Sequence, residues 1–207
     1  MTDYVELHAA SAFSFLEGAS LPETLIETAV EKGLPSIAIT DRNGIYGAAR
    51  FHTMGKKNGI RAHIGAEISV RDFANRIRPP QWLPQINVDE PSRITLLCTS
   101  QKGYQNLCRL ITSFKLREKT KGEGAATLDE LEEYAEGLIC LTGGDEGALA
   151  AALASGGERE ASQLIDRLTN IYKQENLYIE LQRHGYARRS GVIMLRFVWL
   201  AHSTFHY

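Results

Sequence analysis

Short apolar runs alternate with helix-like stretches up to residue 70. The apolar runs cover residues 5–8, 36–40 and 61–70, and their length predicts strands. Between them, residues 21–32 and 46–57 have the apolar spacing of amphipathic helices. Strands and helices that alternate in this way predict parallel βαβ units, and therefore a fold of the α/β class.

Several residues signal where the predicted helices begin and end. Ser20-Leu-Pro-Glu23 predicts a capping box, with Pro22 in the first turn, where its missing N–H does no harm. Gly33 is expected to end that helix. Ser100 is a predicted N-cap, and Thr127-Leu-Asp-Glu130 predicts a second capping box followed by a short helix.

The regular pattern breaks over residues 71–91, which include Pro79, Pro80, Pro84 and Pro91. Proline cannot donate to a strand ladder, so this segment predicts a loop or an edge hairpin. The alternation of strands and helices then resumes. The further predicted elements are a strand over residues 93–99, a helix over 100–119, a strand over 137–141, helices over 145–154 and 158–172, and a strand over 178–181.

The composition sets limits on the class of protein. A chain of 207 residues with 43% hydrophobic content can bury a substantial core and predicts one globular domain. The formal net charge of -2 gives no overall attraction to nucleic acid. Cys98, Cys108 and Cys140 form no CxxC pair, which favours reduced thiols in a cytosolic protein.

Targeting and membrane signals are not found in the sequence. The N-terminus does not combine a basic region with a following apolar run, as a signal peptide would. The apolar stretch over residues 192–201 is interrupted by Arg196 and is shorter than the roughly 20 residues that span a bilayer. We therefore expect a cytoplasmic location and no membrane partner.

Candidate metal-binding side chains fall in or beside the loops that follow the predicted strands. His8 and Glu17 follow the first strand, Asp41 follows the second, Glu67 lies within the third, and His184 follows the sixth. Parallel α/β folds place their sites in such loops, at one edge of the sheet. Imidazoles and carboxylates gathered there could support metal-assisted hydrolysis, since metal-bound water becomes a nucleophile near neutral pH.

Three positions oppose a working metal site. Ala10 stands two residues after His8, where a second ligand on the same side of the strand would lie. Arg42 and Arg93 belong to the same ring of loops, and a guanidinium stays protonated and would repel a divalent ion. The residues alone therefore indicate a metallohydrolase that has lost its metal.

Two further features of these loops have alternative interpretations. Gly143-Gly144 could form a phosphate-binding nest, although a tight turn before the next helix needs no ligand. Phe13, Phe15 and Tyr46 could stack on nucleic-acid bases. Packing beneath the loops is the favoured interpretation for these aromatic residues.

Four segments follow one another in a specific order. They are His8-Ala-Ala-Ser-Ala-Phe-Ser-Phe-Leu-Glu-Gly-Ala-Ser20, Ala38-Ile-Thr-Asp-Arg-Asn-Gly-Ile-Tyr-Gly47, His63-Ile-Gly-Ala-Glu67 and Leu96-Leu-Cys-Thr-Ser-Gln-Lys-Gly-Tyr-Gln-Asn-Leu-Cys-Arg-Leu-Ile-Thr112. Together they resemble the polymerase and histidinol phosphatase (PHP) domain that opens bacterial DNA polymerase III alpha subunits. Residues 13–20 and 106–112 are most similar to the error-prone branch of that family.

The resemblance covers about residues 4–186. It implies an α/β fold, a distorted (β/α)7 TIM-like barrel that is incomplete at its C-terminal end and precedes the palm, fingers and thumb of a polymerase. Residues 1–186 are therefore predicted to be an incomplete PHP domain, and residues 187–207 a divergent tail. We hypothesise that the tail is an out-of-frame or otherwise aberrant end of a truncated gene product; the alternative is a divergent last strand over residues 192–200.

The resemblance also implies what remains of the family's metal site. Its second histidine is replaced by Ala10, two further ligating histidines by Arg42 and Arg93, and a cysteine by Gly144. A broken coordination shell disfavours tight binding of even one metal, so neither a metal nor a catalytic residue is expected. The residues of the predicted vestigial metal site are His8, Glu17, Asp41 and Glu67.

Two functions follow from the resemblance. The favoured one is a non-catalytic PHP domain of an error-prone DNA polymerase, with a structural or interaction role. The parent protein would use Mg for DNA-templated DNA synthesis during lesion bypass. This chain would contact the remainder of that polymerase and reach DNA only through the full-length protein. The alternative is a metal-dependent phosphoesterase or 3'-5' exonuclease that uses the four residues of the vestigial site with Mn or Zn.

Overall fold

Six strands form one sheet in the order β1-β2-β3-β4-β5-β6, so strands that are consecutive in sequence are neighbours in space. The structure is a computed structural model that describes residues 4–71, 91–118, 120 and 124–181. In chain order the elements are β1 (Glu6–Ala9), α1 (Pro22–Glu31), β2 (Ser36–Arg42), α2 (Ala48–Asn58), β3 (Arg61–Val70), β4 (Ser92–Cys98), α3 (Gln101–Arg117), α4 (Leu128–Glu133), β5 (Leu138–Leu141), α5 (Ala148–Tyr172), a 3₁₀ turn (Gln174–Asn176) and β6 (Leu177–Tyr178).

The first three strands are parallel and are linked by α1 and α2, which confirms the predicted βαβ units. One strand departs from this pattern, because β4 runs antiparallel to both β3 and β5. An antiparallel neighbour needs no helical crossover, in keeping with the proline-bearing interval before β4. Most of that interval lies outside the described residues. Because β4 is antiparallel, its beginning meets the carboxyl ends of the parallel strands.

The sheet curls into a half-barrel of the TIM-like type, as predicted, and packs its helices in two groups. The larger core lies between the sheet and α3, α4 and α5, with Phe114, Leu107 and Leu110 fully buried. The smaller core lies against α1 and α2, where Ile26 and Phe51 are fully buried. Both cores lie against the helices, so the loops at the carboxyl edge of the parallel strands are left to form a site.

The capping box predicted at Ser20 is wrong. Leu21 is the N-cap residue of α1 and makes no side-chain cap hydrogen bond, although Pro22 is the first helical residue as expected. The Ser20 carbonyl instead accepts a hydrogen bond of 2.8 Å from the Ala12 N–H, which closes the loop after β1. Ser20 therefore belongs to that loop rather than to the helix.

The other two predicted caps are confirmed. Ser100 Oγ accepts a hydrogen bond of 3.1 Å from the Gly103 N–H at the start of α3. In α4, Thr127 Oγ1 accepts from the Glu130 N–H at 3.3 Å while Glu130 Oε2 accepts from the Thr127 N–H at 2.9 Å. This reciprocal pair is a complete capping box.

The last two predicted helices are joined in one helical run, α5, which is broken at Gly157. Its φ of 66° and ψ of −151° are not helical, and a positive φ is a conformation that glycine adopts at little cost. The predicted interruption between residues 154 and 158 is therefore confirmed. The run begins at Ala148 rather than at residue 145, because the Gly147 N–H donates to the Gly144 carbonyl in a turn.

Cys98, Cys108 and Cys140 are free thiols, as predicted. Burial raises the pKa of Cys98 to about 12, and it raises that of Cys140 still further. Within the described residues, each helix is too short or too polar to cross a membrane.

Candidate functional site

The carboxyl edge of the sheet brings together side chains from elements that are far apart in sequence. His8 is the last but one residue of β1, Arg42 ends β2, and Glu67 lies in the last half of β3. Because β4 is antiparallel, Arg93 near its beginning lies at the same edge, with Ser69 of β3 as its register partner. The sheet therefore assembles three of these side chains from parallel strands and one from the strand that runs the opposite way.

His8 lies between two carboxylates. Its Nδ1 is 2.7 Å from Glu180 Oε1, and its Nε2 is 3.4 Å from Glu67 Oε1. Thr95 Oγ1 lies 3.3 Å from the same Nε2. Burial alone would lower the pKa of His8, but its hydrogen bonds to Glu180 and Glu67 outweigh burial and raise that pKa from 6.5 to about 10. His8 is therefore a cation at neutral pH, with both ring nitrogens engaged.

Arg93 is surrounded by three carboxylates. Its side chain is only 9% exposed, and its Nη1 lies 2.6 Å from Glu146 Oε2 and 3.2 Å from Glu67 Oε2. Its Nη2 lies 3.2 Å from Glu17 Oε1. A nearly buried guanidinium needs such partners, since an unpaired buried charge is costly.

Glu17 and Glu67 connect these cations. Glu17 Oε1 also accepts a hydrogen bond of 2.6 Å from Arg42 Nη1. Burial alone would raise the pKa of Glu67, but its hydrogen bond to His8 and the charges of Arg93, His8 and Arg42 keep that pKa below 4.5. The result is a continuous ion-pair network, defined here as His8, Glu17, Arg42, Glu67, Arg93, Glu146 and Glu180.

Asp41 is turned away from this network. It is 1% exposed and accepts hydrogen bonds from three donor groups. Ser11 donates from its N–H and its Oγ to Asp41 Oδ1, both at 2.8 Å, and Ser14 Oγ donates to the same oxygen at 2.9 Å. Asp41 thus holds the loop after β1, and the structure does not bring it together with the other three residues of the predicted metal site.

The donor set at this edge does not fit a divalent metal ion. The ring nitrogens of His8 face Glu180 and Glu67, while Arg93 and Arg42 place positive charge against the carboxylates that would have to coordinate. A metal ligand must be deprotonated and free to donate, and nearby guanidinium groups oppose a second cation. In the described part of the chain, no group of three His, Cys, Asp or Glu side chains is arranged to hold a metal.

Sequence reasoning missed several members of the network. Glu146 and Glu180 follow β5 and β6, and their position at the ends of strands was the signal that could have found them. His184, a predicted member of the ring of loops, lies outside the described residues. Gly143 has a φ of 78° and precedes the hydrogen-bonded turn at Gly144, a geometry that both interpretations of this glycine pair allow.

The aromatic residues of these loops do not pack beneath them, so the favoured interpretation is wrong. Phe13, Phe15 and Tyr46 are 41%, 84% and 57% exposed. The loops are held from within by Ser11 and Ser14 on Asp41, which leaves the rings on the outer surface.

Comparisons with known proteins agree on one family. A family model described as the PHP domain matches residues 6–184. The chain is 36% identical over 184 residues to an error-prone DNA polymerase from Mycobacterium bovis, a match that covers 88% of this chain and 16% of the relative. It is also 36% identical over 185 residues to an error-prone DNA polymerase from Cutibacterium acnes, covering 87% of this chain and 15% of the relative. The chain thus spans about one sixth of the length of these curated relatives.

Solved structures with a similar fold include an amidohydrolase from Chromobacterium violaceum, with a TM-score of 0.65 at 15% identity, covering 97% of this chain and 83% of that chain. A protein from Bifidobacterium adolescentis described as a metal-dependent phosphoesterase has a TM-score of 0.50 at 13% identity, with 90% of each chain covered. At these identities the likeness concerns the fold. The family match and the polymerase relatives together show that the chain belongs to the PHP domain family.

Proposed function

We propose that this chain is a non-catalytic PHP domain of the error-prone DNA polymerase type. In this proposal the ion-pair network occupies the place of a metal centre, and the domain has a structural role in a larger protein. The observation that carries the proposal is Arg93, whose nearly buried guanidinium contacts Glu17, Glu67 and Glu146. The positive charge of this guanidinium neutralises carboxylates that a bound metal ion would otherwise use as ligands.

The role of the parent protein is inferred from its relatives. Those relatives are named error-prone DNA polymerases, and this chain matches about one sixth of their length. We infer that a full-length protein would carry out DNA-templated synthesis during lesion bypass in the cytoplasm, with Mg at a separate polymerase site. This domain would then brace the polymerase core and contact the remainder of that protein.

A second candidate function is supported by one local feature. His8 contacts both Glu67 and Glu180, and the chain shares its fold with a protein described as a metal-dependent phosphoesterase. Loss of the contact between Arg93 and Glu67 would free one carboxylate of this group to bind Mn or Zn. A phosphoesterase or 3'-5' exonuclease is therefore the alternative.

Metal analysis separates the two functions. The purified 207-residue chain is incubated with Mn²⁺ or Zn²⁺, desalted, and measured for bound metal and for hydrolysis of single-stranded DNA. We expect far less than one metal per chain, no hydrolysis, and the same thermal unfolding curve with and without a chelator.

His8→Ala is the matched variant for this assay. Stoichiometric metal together with hydrolysis, both lost in His8→Ala, would contradict the proposal and establish the alternative. Circular dichroism of both proteins shows that each is folded when it is assayed.

A further inference from the structure

Two neighbouring loops at the carboxyl edge carry exposed aromatic rings. Phe13 and Phe15 lie in the loop after β1, and Tyr46 lies in the loop after β2; they are 41%, 84% and 57% exposed. We call these three residues the aromatic surface. Exposed apolar side chains that cluster, rather than occur singly, indicate a binding surface.

The two loops are adjacent because they pack on the same carboxylate. Ser14, which stands between the two phenylalanines, donates from Oγ to Asp41 Oδ1 at 2.9 Å. On the other side, a Cβ built on Gly47 would lie 3.0 Å from Asp41 Oδ2, and Gly47 directly follows Tyr46. The two loops that carry the three rings therefore both border Asp41.

The loop that carries Phe13 and Phe15 is internally braced. The Ser11 carbonyl accepts from the Ser14 N–H at 2.9 Å, and the Ser14 carbonyl accepts from the Gly18 N–H at 3.0 Å. Gly18 is packed so closely that an added Cβ would lie 2.1 Å from the Ser11 carbonyl oxygen. Leu16 has a φ of 64°, an unusual conformation for leucine that this bracing maintains. A loop backbone held in this way presents its side chains without a large cost of ordering the chain.

Each end of the aromatic surface has a cation beside a ring. The Arg50 guanidinium lies 5.7 Å from the centroid of the Phe13 ring, and Lys115 Nζ lies 4.8 Å from the centroid of the Tyr46 ring. Exposed rings that accept stacked bases, with arginine or lysine beside them for the phosphates, are the features with which proteins bind single strands of nucleic acid.

We propose that the aromatic surface binds single-stranded nucleic acid, with bases stacked on Phe15, Phe13 and Tyr46 and phosphates near Arg50 and Lys115. Arg50 also pairs with Glu23 at 2.5 Å, and the chain has a net charge of -2, so stacking rather than charge dominates the binding. The binding is a property of the chain itself, which departs from the expectation that DNA is reached only through a full-length protein. It is independent of the ion-pair network and of whether that network has replaced a metal.

Fluorescence anisotropy with a labelled oligothymidylate tests this surface on the intact 207-residue chain. We expect saturable binding that Phe15→Ala and Tyr46→Ala each weaken by about tenfold, the effect of removing one base-stacking ring. Tyr178→Ala, which removes a ring that is 52% exposed on β6, is the matched control and should bind as the unmodified chain does. All three rings are largely outside the core, so circular dichroism should show the same fold in each variant.

Two further probes separate stacking from charge. An oligomer of equal length without bases keeps the phosphates and should bind at least tenfold more weakly. The slope of log affinity against log salt should be about −1.4, which corresponds to two phosphates at about −0.7 each.

Several results would overturn the proposal. They are the absence of saturable binding, binding by Phe15→Ala and Tyr46→Ala as tight as that of the unmodified chain, binding of the oligomer without bases as tight as that of oligothymidylate, or a salt slope several times steeper. Self-association of the chain that is lost in Phe15→Ala, without binding of the oligonucleotide, would identify a protein interface and would also overturn it.

Discussion

His8 Nδ1 lies 2.7 Å from Glu180 Oε1, which joins the first strand of the sheet to the residues that follow its last strand. β1 and β6 stand at opposite ends of the strand order, so this contact links the two ends of the curled half-barrel. A protonated imidazole between Glu180 and Glu67 is a charge that both carboxylates stabilise. The fold and the protonation state of His8 should therefore be coupled.

The first prediction is that stability falls as the pH is raised through the titration of His8. Its pKa is about 10 in the folded chain against an ordinary value of 6.5, so the folded chain retains a proton that the unfolded chain releases. This contribution is fully present below pH 6.5 and is lost as the pH approaches 10. Urea unfolding across this pH interval measures the loss.

His8→Gln isolates the contribution of the imidazole from other groups that titrate at alkaline pH. The free energy of unfolding of the unmodified chain should exceed that of His8→Gln most at pH 6.5, and the difference should shrink towards pH 10. A difference that stays constant over the interval would show that His8 keeps an ordinary pKa.

The second prediction concerns the guanidinium at the centre of the network. Arg93→Met keeps much of the side-chain volume but leaves Glu17, Glu67 and Glu146 facing one another without their shared cation. Breaking a buried ion pair from one side costs about 3–5 kcal/mol. His8 and Arg42 still compensate part of the charge of Glu67 and Glu17, so we expect the lower end of that range. Urea unfolding at neutral pH should show a loss of that size.

Arg159→Met is the control for this measurement. The Arg159 side chain is 81% exposed and, within the described residues, pairs only with the neighbouring Glu160. The free energy of unfolding of this variant should therefore differ from that of the unmodified chain by less than about 0.5 kcal/mol. The double variant Arg93→Met/Glu67→Gln should be more stable than the sum of its single changes predicts. Strict additivity would mean that Arg93 and Glu67 are not coupled.

The third prediction is that Asp41→Asn loosens the loop after β1. An amide offers one acceptor oxygen in place of two and directs an N–H₂ donor at serine hydroxyls that now donate to Asp41. A mismatch at a buried group costs about 1–3 kcal/mol. Hydrogen exchange of residues 11–20 should accelerate, whereas exposed Asp166→Asn on α5 should leave it unchanged. Unchanged protection in Asp41→Asn would mean that the serine contacts do not hold the loop.

Strand positions could be predicted well where a short apolar run stands between clear helix patterns. The predicted strand over residues 61–70 has the same bounds as β3, and the caps at Ser100 and Thr127 are local signals that need no tertiary information. The direction of β4 could not be predicted in this way, since strand direction depends on the connection rather than on the apolar run itself.

The candidate site was harder to predict because its contacts depend on register and charge. The sequence indicates that His8, Glu67 and Arg93 reach one edge, and they do meet there. The sequence does not show that Asp41 instead accepts hydrogen bonds from Ser11 and Ser14. The strand pattern gives the position of Asp41, but its partners depend on the conformation of the loop after β1. Glu180 was overlooked since it joins His8 across 172 residues of sequence.

The last prediction concerns the N-terminus of α1, where no side chain caps the helix. Leu21 occupies the N-cap position with extended backbone dihedral angles, but its side chain cannot accept the hydrogen bonds of the first turn. Leu21 is 48% exposed, so Leu21→Ser sacrifices little apolar burial and adds an acceptor oxygen. The free energy of unfolding should rise by about 0.5–1 kcal/mol in urea titrations. Ser100→Ala, which removes an existing cap of α3, should lower it by about 1 kcal/mol and so calibrate the measurement. A Leu21→Ser chain no more stable than the unmodified one would mean that Leu21 contributes contacts worth as much as the missing cap.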